Sequence, residues 1–429
     1  MLEIVVPLLL LLALMALGVP VAFSMLLAGV VGMLFVSDFG LVEGLLAITP
    51  QAVTSTFTYS VIPLFILMAE FLSGSTIASR LFDTARAWTG RIPGGLAAST
   101  IGAGAAMGTI SGSSLATTST LARVAVPEMR KAGYSDKLSV SSAASGGVLA
   151  AMIPPSILLL MYGVTTETSI SQLFAAGILP AILQAILFIV LIVVWVKVKP
   201  GTAPASAATS WSEKFRSLTS TFPALLLIIL VLGGIYSGIV TVLEAGAIGA
   251  FGALIVGVVF GGLRWKAIRE ALQRAVETTA SIFLVIIGAK IFAQYVTLTG
   301  ITQSLTRVIA DAGLAPLLVL MFVILVYLIL GMFMDAIGAM LLTLPIFFPL
   351  ITSLGYDGIW FGIIVVLMIE IGLLTPPLGL NVFVATSVTK ADLRDVFGGS
   401  MWFVLISLVT VAIVIAVPQI ATLLPSLAP

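Results

Sequence analysis

The chain has 429 residues, 60% of them hydrophobic and 9% charged, with a mean hydropathy of +1.25, where a soluble domain carries roughly 25% charged residues. This excludes a soluble fold and leaves room for on the order of twelve helical crossings at about 20 residues each. The absence of Cys and His excludes disulfides, thiolate or imidazole metal sites and a Ser-His-Asp triad, and 19 Lys+Arg against 18 Asp+Glu leave no basic tract for nucleic acid.

The first stretch, MLEIVVPLLLLLALMALGVP, carries Glu3 where a signal peptide needs Lys or Arg, so it reads as a retained helix. Apolar runs at about 20–36, 50–72, 138–165, 170–197, 221–238, 241–262, 278–298, 357–387 and 397–424 complete ten crossings. Two other runs, about 94–131 and 314–352, are interrupted midway by glycines and small polar residues and read as re-entrant hairpins. Their tips fall near Thr109 to Ser114 and Phe333 to Gly338. Irregular backbone at membrane depth is tolerated only inside protein or along a water-filled cavity, so both tips are expected to line an internal site.

Segments 76–90 and 264–277 are amphipathic, the latter with Trp265, Ile268, Leu272 and Val276 on one stripe. They read as surface helices bracing a moving domain against a fixed one, the alternative being wetted extensions of spans. Residues 200–216 form a small-polar linker between a first half, 1–199, and a second, 217–429.

With ten crossings and two hairpins, 17 of the 19 Lys and Arg fall on one face, which the positive-inside rule makes cytoplasmic, placing both termini outside. A shift of 222 residues pairs Pro127 with Pro349, Gly133-Tyr134 with Gly355-Tyr356, Pro154-Pro155 with Pro376-Pro377, and Ser113 with Asp335. Each half then holds five crossings and one hairpin. Five is odd, so the second copy is expected to be inverted, the layout of many secondary transporters, whose substrate and ions bind at the midplane. The expected fold class is an all-α membrane protein with two inverted repeats.

Two candidate sites follow. In the first, the tip Ser111 to Ser114, with Thr117 and Thr118, faces a break containing Gly147, Ile153, Pro154, Pro155 and Ser156. In the second, the tip around Asp335 and Gly338 faces a break containing Gly372, Thr375, Pro376, Pro377, Leu378 and Asn381. Proline donates no backbone hydrogen bond, so the double prolines free carbonyls in the preceding turn. Freed carbonyls and hydroxyls suit a small cation, and half-helix N-termini suit an anion. The candidate Na⁺ ligands are Ser113, Gly147, Ile153 and Ser156 in one half and Gly338, Gly372, Thr375 and Leu378 in the other. Candidate substrate contacts are Ser111, Ser113, Ser114, Asp335 and Asn381. The intramembrane residues Lys290 and Glu370 are either functional or a structural pair, Lys290 joining Glu370 or Asp335.

The segments PLFILMAEFLSGS (63–75), GTISGSSLATTSTLARVAVPEMRKAGY (108–134), AAMIPPS (150–156), GGIYSGIVTVLEAGAIGA (233–250) and GLLTPPLGLNVFV (372–384) resemble the large, DctM-type membrane subunit of tripartite ATP-independent periplasmic (TRAP) transporters along nearly the whole chain. Val242 and Leu243 depart from that pattern, which has Pro and Thr there. The resemblance implies an elevator-type importer of the inner membrane with no catalytic residues and no cofactor, Na⁺ being its coupling ion. It also implies a separate small four-helix membrane subunit and a periplasmic binding protein delivering an organic anion: a C4-dicarboxylate, a sialic acid or another sugar or keto acid. A stand-alone Na⁺/dicarboxylate symporter of related elevator fold and an ion channel are the alternatives.

Overall fold

The computed structural model describes residues 2–89, 92–204 and 210–427; Arg91 and residues 205–209 of the linker lie outside the described residues. In the first half the helices are α1 (Leu2–Ala16), α2 (Val21–Val36), α3 (Phe39–Ser55), α4 (Val61–Ser73), α5 (Ile77–Thr89), α6 (Gly95–Ser111), α7 (Ser114–Lys131), α8 (Asp136–Val148), α9 (Ile157–Thr166) and α10 (Ile170–Val198). The second half follows with α11 (Trp211–Tyr236), α12 (Val242–Val259), α13 (Trp265–Thr299), α14 (Ile301–Asp311), α15 (Pro316–Phe333), α16 (Ala336–Ser353), α17 (Gly358–Gly372), α18 (Leu380–Thr389), α19 (Leu393–Ala416) and α20 (Gln419–Thr422). Among the described residues there is no strand. Every backbone amide at membrane depth must be paired, and helices pair theirs within the segment.

Helix bounds recur along the chain. The two 18-residue helices α7 and α16 begin at Ser114 and Ala336, 222 positions apart, and their N-caps are Ser113 and Asp335. The same spacing relates Ser135, the cap of α8, to Asp357, the cap of α17. Each cap oxygen accepts an amide of the first turn, which marks a helix start in the sequence.

The halves differ in how one long element is divided. The run expected to cross at 50–72 is two helices, α3 and α4, bent by 56° at their junction. A 3-10 turn over Phe57–Ser60 separates them, and Pro63 stands in the first turn of α4. Its counterpart is Val285, and the matching stretch is α13, a continuous 35-residue helix about 52 Å long. Segment 264–277 is therefore no separate surface helix but the first turns of α13, as in the alternative reading. Its buried stripe is Ala271 and Ala275, while Trp265, Leu272 and Val276 face outward. The second amphipathic helix is α14, which the apolar runs do not announce; its counterpart is α5.

Seven helices among the described residues are each long and apolar enough to cross a membrane, or eight counting the bent pair, and they include both arms of the second hairpin, α15 and α16. α1 and α2, with 15 and 16 residues, are about 23 Å long, shorter than the ~30 Å hydrocarbon core. The departure at Val242 and Leu243 leaves the start of α12 intact, because Thr241 and Glu244 form a reciprocal capping box.

Two packs of helices meet along a seam. α2 packs on α13, and α4 on α12 and α13; α6 to α10 pack with α15 to α19. Contacts of α4 with α6 and of α13 with α16 join the packs. Within the second pack both hairpins lie against the broken helices at glycines. A Cβ at Gly331 of α15 would stand 2.7 Å from the Ile369 carbonyl, and one at Gly108 of α6 would stand 2.7 Å from Ala150 Cα. Gly331→Leu is expected to force α15 from α17 and destabilise the protein by about 1–3 kcal/mol. Gly233→Ala, where nothing lies within 4 Å of the added carbon, should not destabilise it. Thermal unfolding of the purified protein in detergent measures both.

Candidate functional site

At the first tip Gly112, at φ +56°, turns the chain through the left-handed region, which costs glycine nothing. Ser113 then caps α7, accepting from the Ala116 amide at 3.4 Å. Ser111 and Thr117 share a hydrogen bond of 2.6 Å beneath the turn. At the second tip Asp335 caps α16, accepting from the Gly338 amide at 2.9 Å. The residues paired by the 222-residue shift thus do the same local work. The carboxylate adds charge that the helix N-terminus stabilises.

The breaks repair part of what their prolines disrupt. Pro155 leaves the Ala151 carbonyl without its helical donor; the Ser156 hydroxyl donates to that carbonyl and accepts from the Leu159 amide at 3.2 Å, starting α9. In the second break the Thr375 amide bonds the Gly372 carbonyl at 2.9 Å and the Asn381 amide bonds the Leu373 carbonyl at 3.0 Å. The Thr375 hydroxyl donates to the Ile371 carbonyl at 2.7 Å. Both double-proline bonds are cis.

Tips and breaks meet. The Ile157 amide donates to the Gly112 carbonyl at 3.2 Å, tying the first tip to the start of α9. A cavity of about 100 Å³ is lined by Gly112 to Leu115 of one tip, Asp335 to Ile337 of the other, Ile157 and Leu158 of α9, and Leu373 in the second break. The N-termini of α7, α9 and α16 all open on it. Of the expected substrate contacts, Ser113, Ser114 and Asp335 line this cavity.

Other expected residues lie elsewhere. Ser111 is held inside its own turn. Gly147 is a packing position, where a Cβ would strike the Thr118 hydroxyl; Gly372 packs against Gly331, and a Cβ at Gly338 would stand 2.8 Å from the Asp335 carboxylate. Leu378 is exposed. Asn381 is fully buried in the first turn of α18, where its amide reaches the Glu370 carboxylate at 3.5 Å. Glu370 Oε1 and Asn381 Oδ1 have no hydrogen-bond partner among the described residues.

The expected pairing of Lys290 with Glu370 or Asp335 does not form. Lys290 lies across the seam from α16 in a crevice of about 290 Å³, shared with Glu167, Thr165, Thr166 and Thr297. Glu167 caps the end of α9 at φ 57°, and its partnership with that crevice had no sequence signal, since the two residues are 123 positions apart on different helices. The ion pairs among the described residues are nearer the ends of helices: Arg274 with Glu70 at 2.7 Å, Arg130 with Asp136 at 2.7 Å, and Glu128 with Lys131 and Arg86.

A family described as the tripartite ATP-independent periplasmic transporter DctM component matches residues 8–420. The C4-dicarboxylate TRAP transporter large permease protein DctM of Pseudomonas aeruginosa is 35% identical over 382 residues, covering 89% of each chain. The sialic acid TRAP transporter large permease protein SiaM of Vibrio cholerae is 31% identical over 411 residues, covering 96% of this chain and 95% of its own. Among solved structures, the Alcanivorax borkumensis YdaH transporter superposes with a TM-score of 0.59 at 17% identity, covering 86% of this chain and 87% of its own, a likeness of fold.

The pair at Arg130 makes a testable claim about how the hairpin is held. Arg130 grips both oxygens of Asp136 at 2.7 Å and donates to the Thr389 carbonyl at the end of α18 at 2.9 Å. The hydrogen bond to Asp136 holds the guanidinium above its ordinary value. Arg130→Lys keeps the charge but loses the fork, and is expected to destabilise the protein by about 1 kcal/mol, read as a lower midpoint in thermal unfolding.

Proposed function

This chain belongs to the DctM-component family of tripartite ATP-independent periplasmic transporters, and on that premise we propose that it carries an organic anion inward, coupled to Na⁺, by an elevator movement of one helix pack against the other. The observation that carries the reading is the convergence of three helix N-termini on one cavity at the meeting of two hairpin tips. Helix N-termini present unpaired amides and a positive dipole end, which suits a carboxylate. Asp335 neutralises the end of α16, so the anion is drawn to the ends of α7 and α9, beside Ser113 and Ser114. The oxygen-rich breaks serve the cations, with the carbonyls of Ile153 and Thr375 as ligands.

Relatives carry names with C4-dicarboxylate, sialic acid and 2,3-diketo-L-gulonate, and an acid of this general kind is the proposed cargo. In this reading the second repeat is inverted, both termini are periplasmic, and α5 and α14 brace the seam. The chain sits in the inner membrane with a small four-helix subunit, receiving its cargo from a periplasmic binding protein. Na⁺ is favoured over H⁺ as driver because the tips and breaks offer mainly carbonyls and hydroxyls, with the carboxylates of Asp335 at one tip and Glu370 at the end of α17.

Uptake by the complete complex in proteoliposomes is expected to require a sodium gradient; undiminished uptake on a pH gradient alone, without Na⁺, overturns the coupling. Ser113→Trp fills the cavity and is expected to abolish uptake in a complex that remains folded. Thr375→Val keeps the volume but removes one oxygen, so the sodium concentration for half-maximal uptake should rise roughly five- to 150-fold, the equivalent of about 1–3 kcal/mol.

A further inference from the structure

Away from the tips, a crevice of about 440 Å³ lies where the start of α8, the end of α10 and α19 around Trp402 come together. Its mouth holds the ammonium groups of Lys137 and Lys199 with the hydroxyl-bearing Ser135 and Thr202, and its wall holds Trp195 and Trp402. Neither lysine belongs to an ion pair among the described residues, and the neighbouring Asp136 is already held by Arg130. The rim is tied together by the Ser135 amide, which donates to the Thr202 carbonyl at 3.0 Å. Gly399 lets the two helices approach, since a Cβ there would strike the Lys137 carbonyl.

Exposed apolar residues continue from the crevice along both α10 and α19. Helices α10 and α19 run antiparallel, with Phe188 against Phe403 at 5.2 Å and Gln184 bonded to Ser407 at 2.9 Å. On α10 the residues Ile182, Ile186, Val190, Val194 and Val198 form an exposed stripe, about 24 Å long at 1.5 Å per residue. On α19 Trp402, Leu405 and Val409 are exposed beside it. A pair of cations at one end of a long apolar face that carries two indoles matches a molecule with an anionic head and a hydrocarbon tail. Indole rings favour the headgroup level, and basic pockets between spans bind anionic lipid heads. A free phosphate would leave the apolar face uncovered.

We propose that this crevice is a binding site for an anionic glycerophospholipid, its phosphate between Lys137 and Lys199 and one acyl chain along the exposed α10–α19 face. The site stands on its own geometry, whatever the transported anion or the coupling ion. Lipid binding to the delipidated full-length protein, read by native mass spectrometry, tests it with phosphatidylglycerol, phosphatidylcholine and inorganic phosphate as probes. The wild type is expected to bind phosphatidylglycerol at least tenfold more tightly than phosphatidylcholine. Each lysine contributes about fivefold, so Lys137→Gln with Lys199→Gln should weaken phosphatidylglycerol about 25-fold and leave phosphatidylcholine unchanged. Should the double variant not fold, Trp402→Ala supplies the second measurement, weakening both lipids alike. Equal phosphatidylglycerol affinity in the wild type and the lysine variant, an unaltered affinity in Trp402→Ala, or displacement of the lipid by equimolar inorganic phosphate overturns the proposal.

Discussion

Two helices are interrupted deep inside an apolar protein, and the rest of the architecture depends on covering those interruptions. Each break contains a cis Pro-Pro pair that lacks two amide donors, and an unpaired carbonyl costs several kcal/mol away from water. Part of the repair is local, through Ser156, Thr375 and Asn381. The remainder comes from the hairpins, whose tips reach the breaks because glycines such as Gly108 and Gly331 let the backbones nearly touch. One polar bond, from the Ile157 amide to the Gly112 carbonyl, then fixes the first tip to its break.

The electrostatics of the cavity come from backbone more than from side chains. Asp335 is the charged residue among its lining, and three helix starts supply partial positive charge. Such a site is pre-oriented, because the dipoles belong to helices held by packing and cannot swing away. The buried Glu370 and Asn381 at the second break continue this polar region, Ser114 of the first tip reaching toward the Glu370 carboxylate.

The seam between the two packs is chemically different from either interior. Lys290 and Glu167 line a crevice there, and Phe348 and Pro349 of α16 form its wall. The halves are also asymmetric: one long element is bent by 56° between α3 and α4, and its counterpart α13 is continuous. A repeat in sequence therefore does not oblige the two copies to have the same shape.

Composition alone determined that the chain spans a membrane as helices, because 60% apolar residues with 9% charged cannot form a soluble surface. The 222-residue recurrence of caps, glycines and double prolines determined where helices start and break, since those features act within a turn or two of their own residue. Which residues line the cavity was legible only in part. Ser113, Ser114 and Asp335 were recognisable because a polar tip at membrane depth must face a cavity, whereas Gly147 and Gly372 look the same in sequence whether they bind an ion or admit a neighbouring backbone. Tertiary structure alone decided that these glycines pack, that Lys290 stands apart from Glu370 and Asp335, and that Glu167 joins it across the seam. Those outcomes depend on which helix faces which, and that is set by side chains hundreds of positions apart filling a common volume.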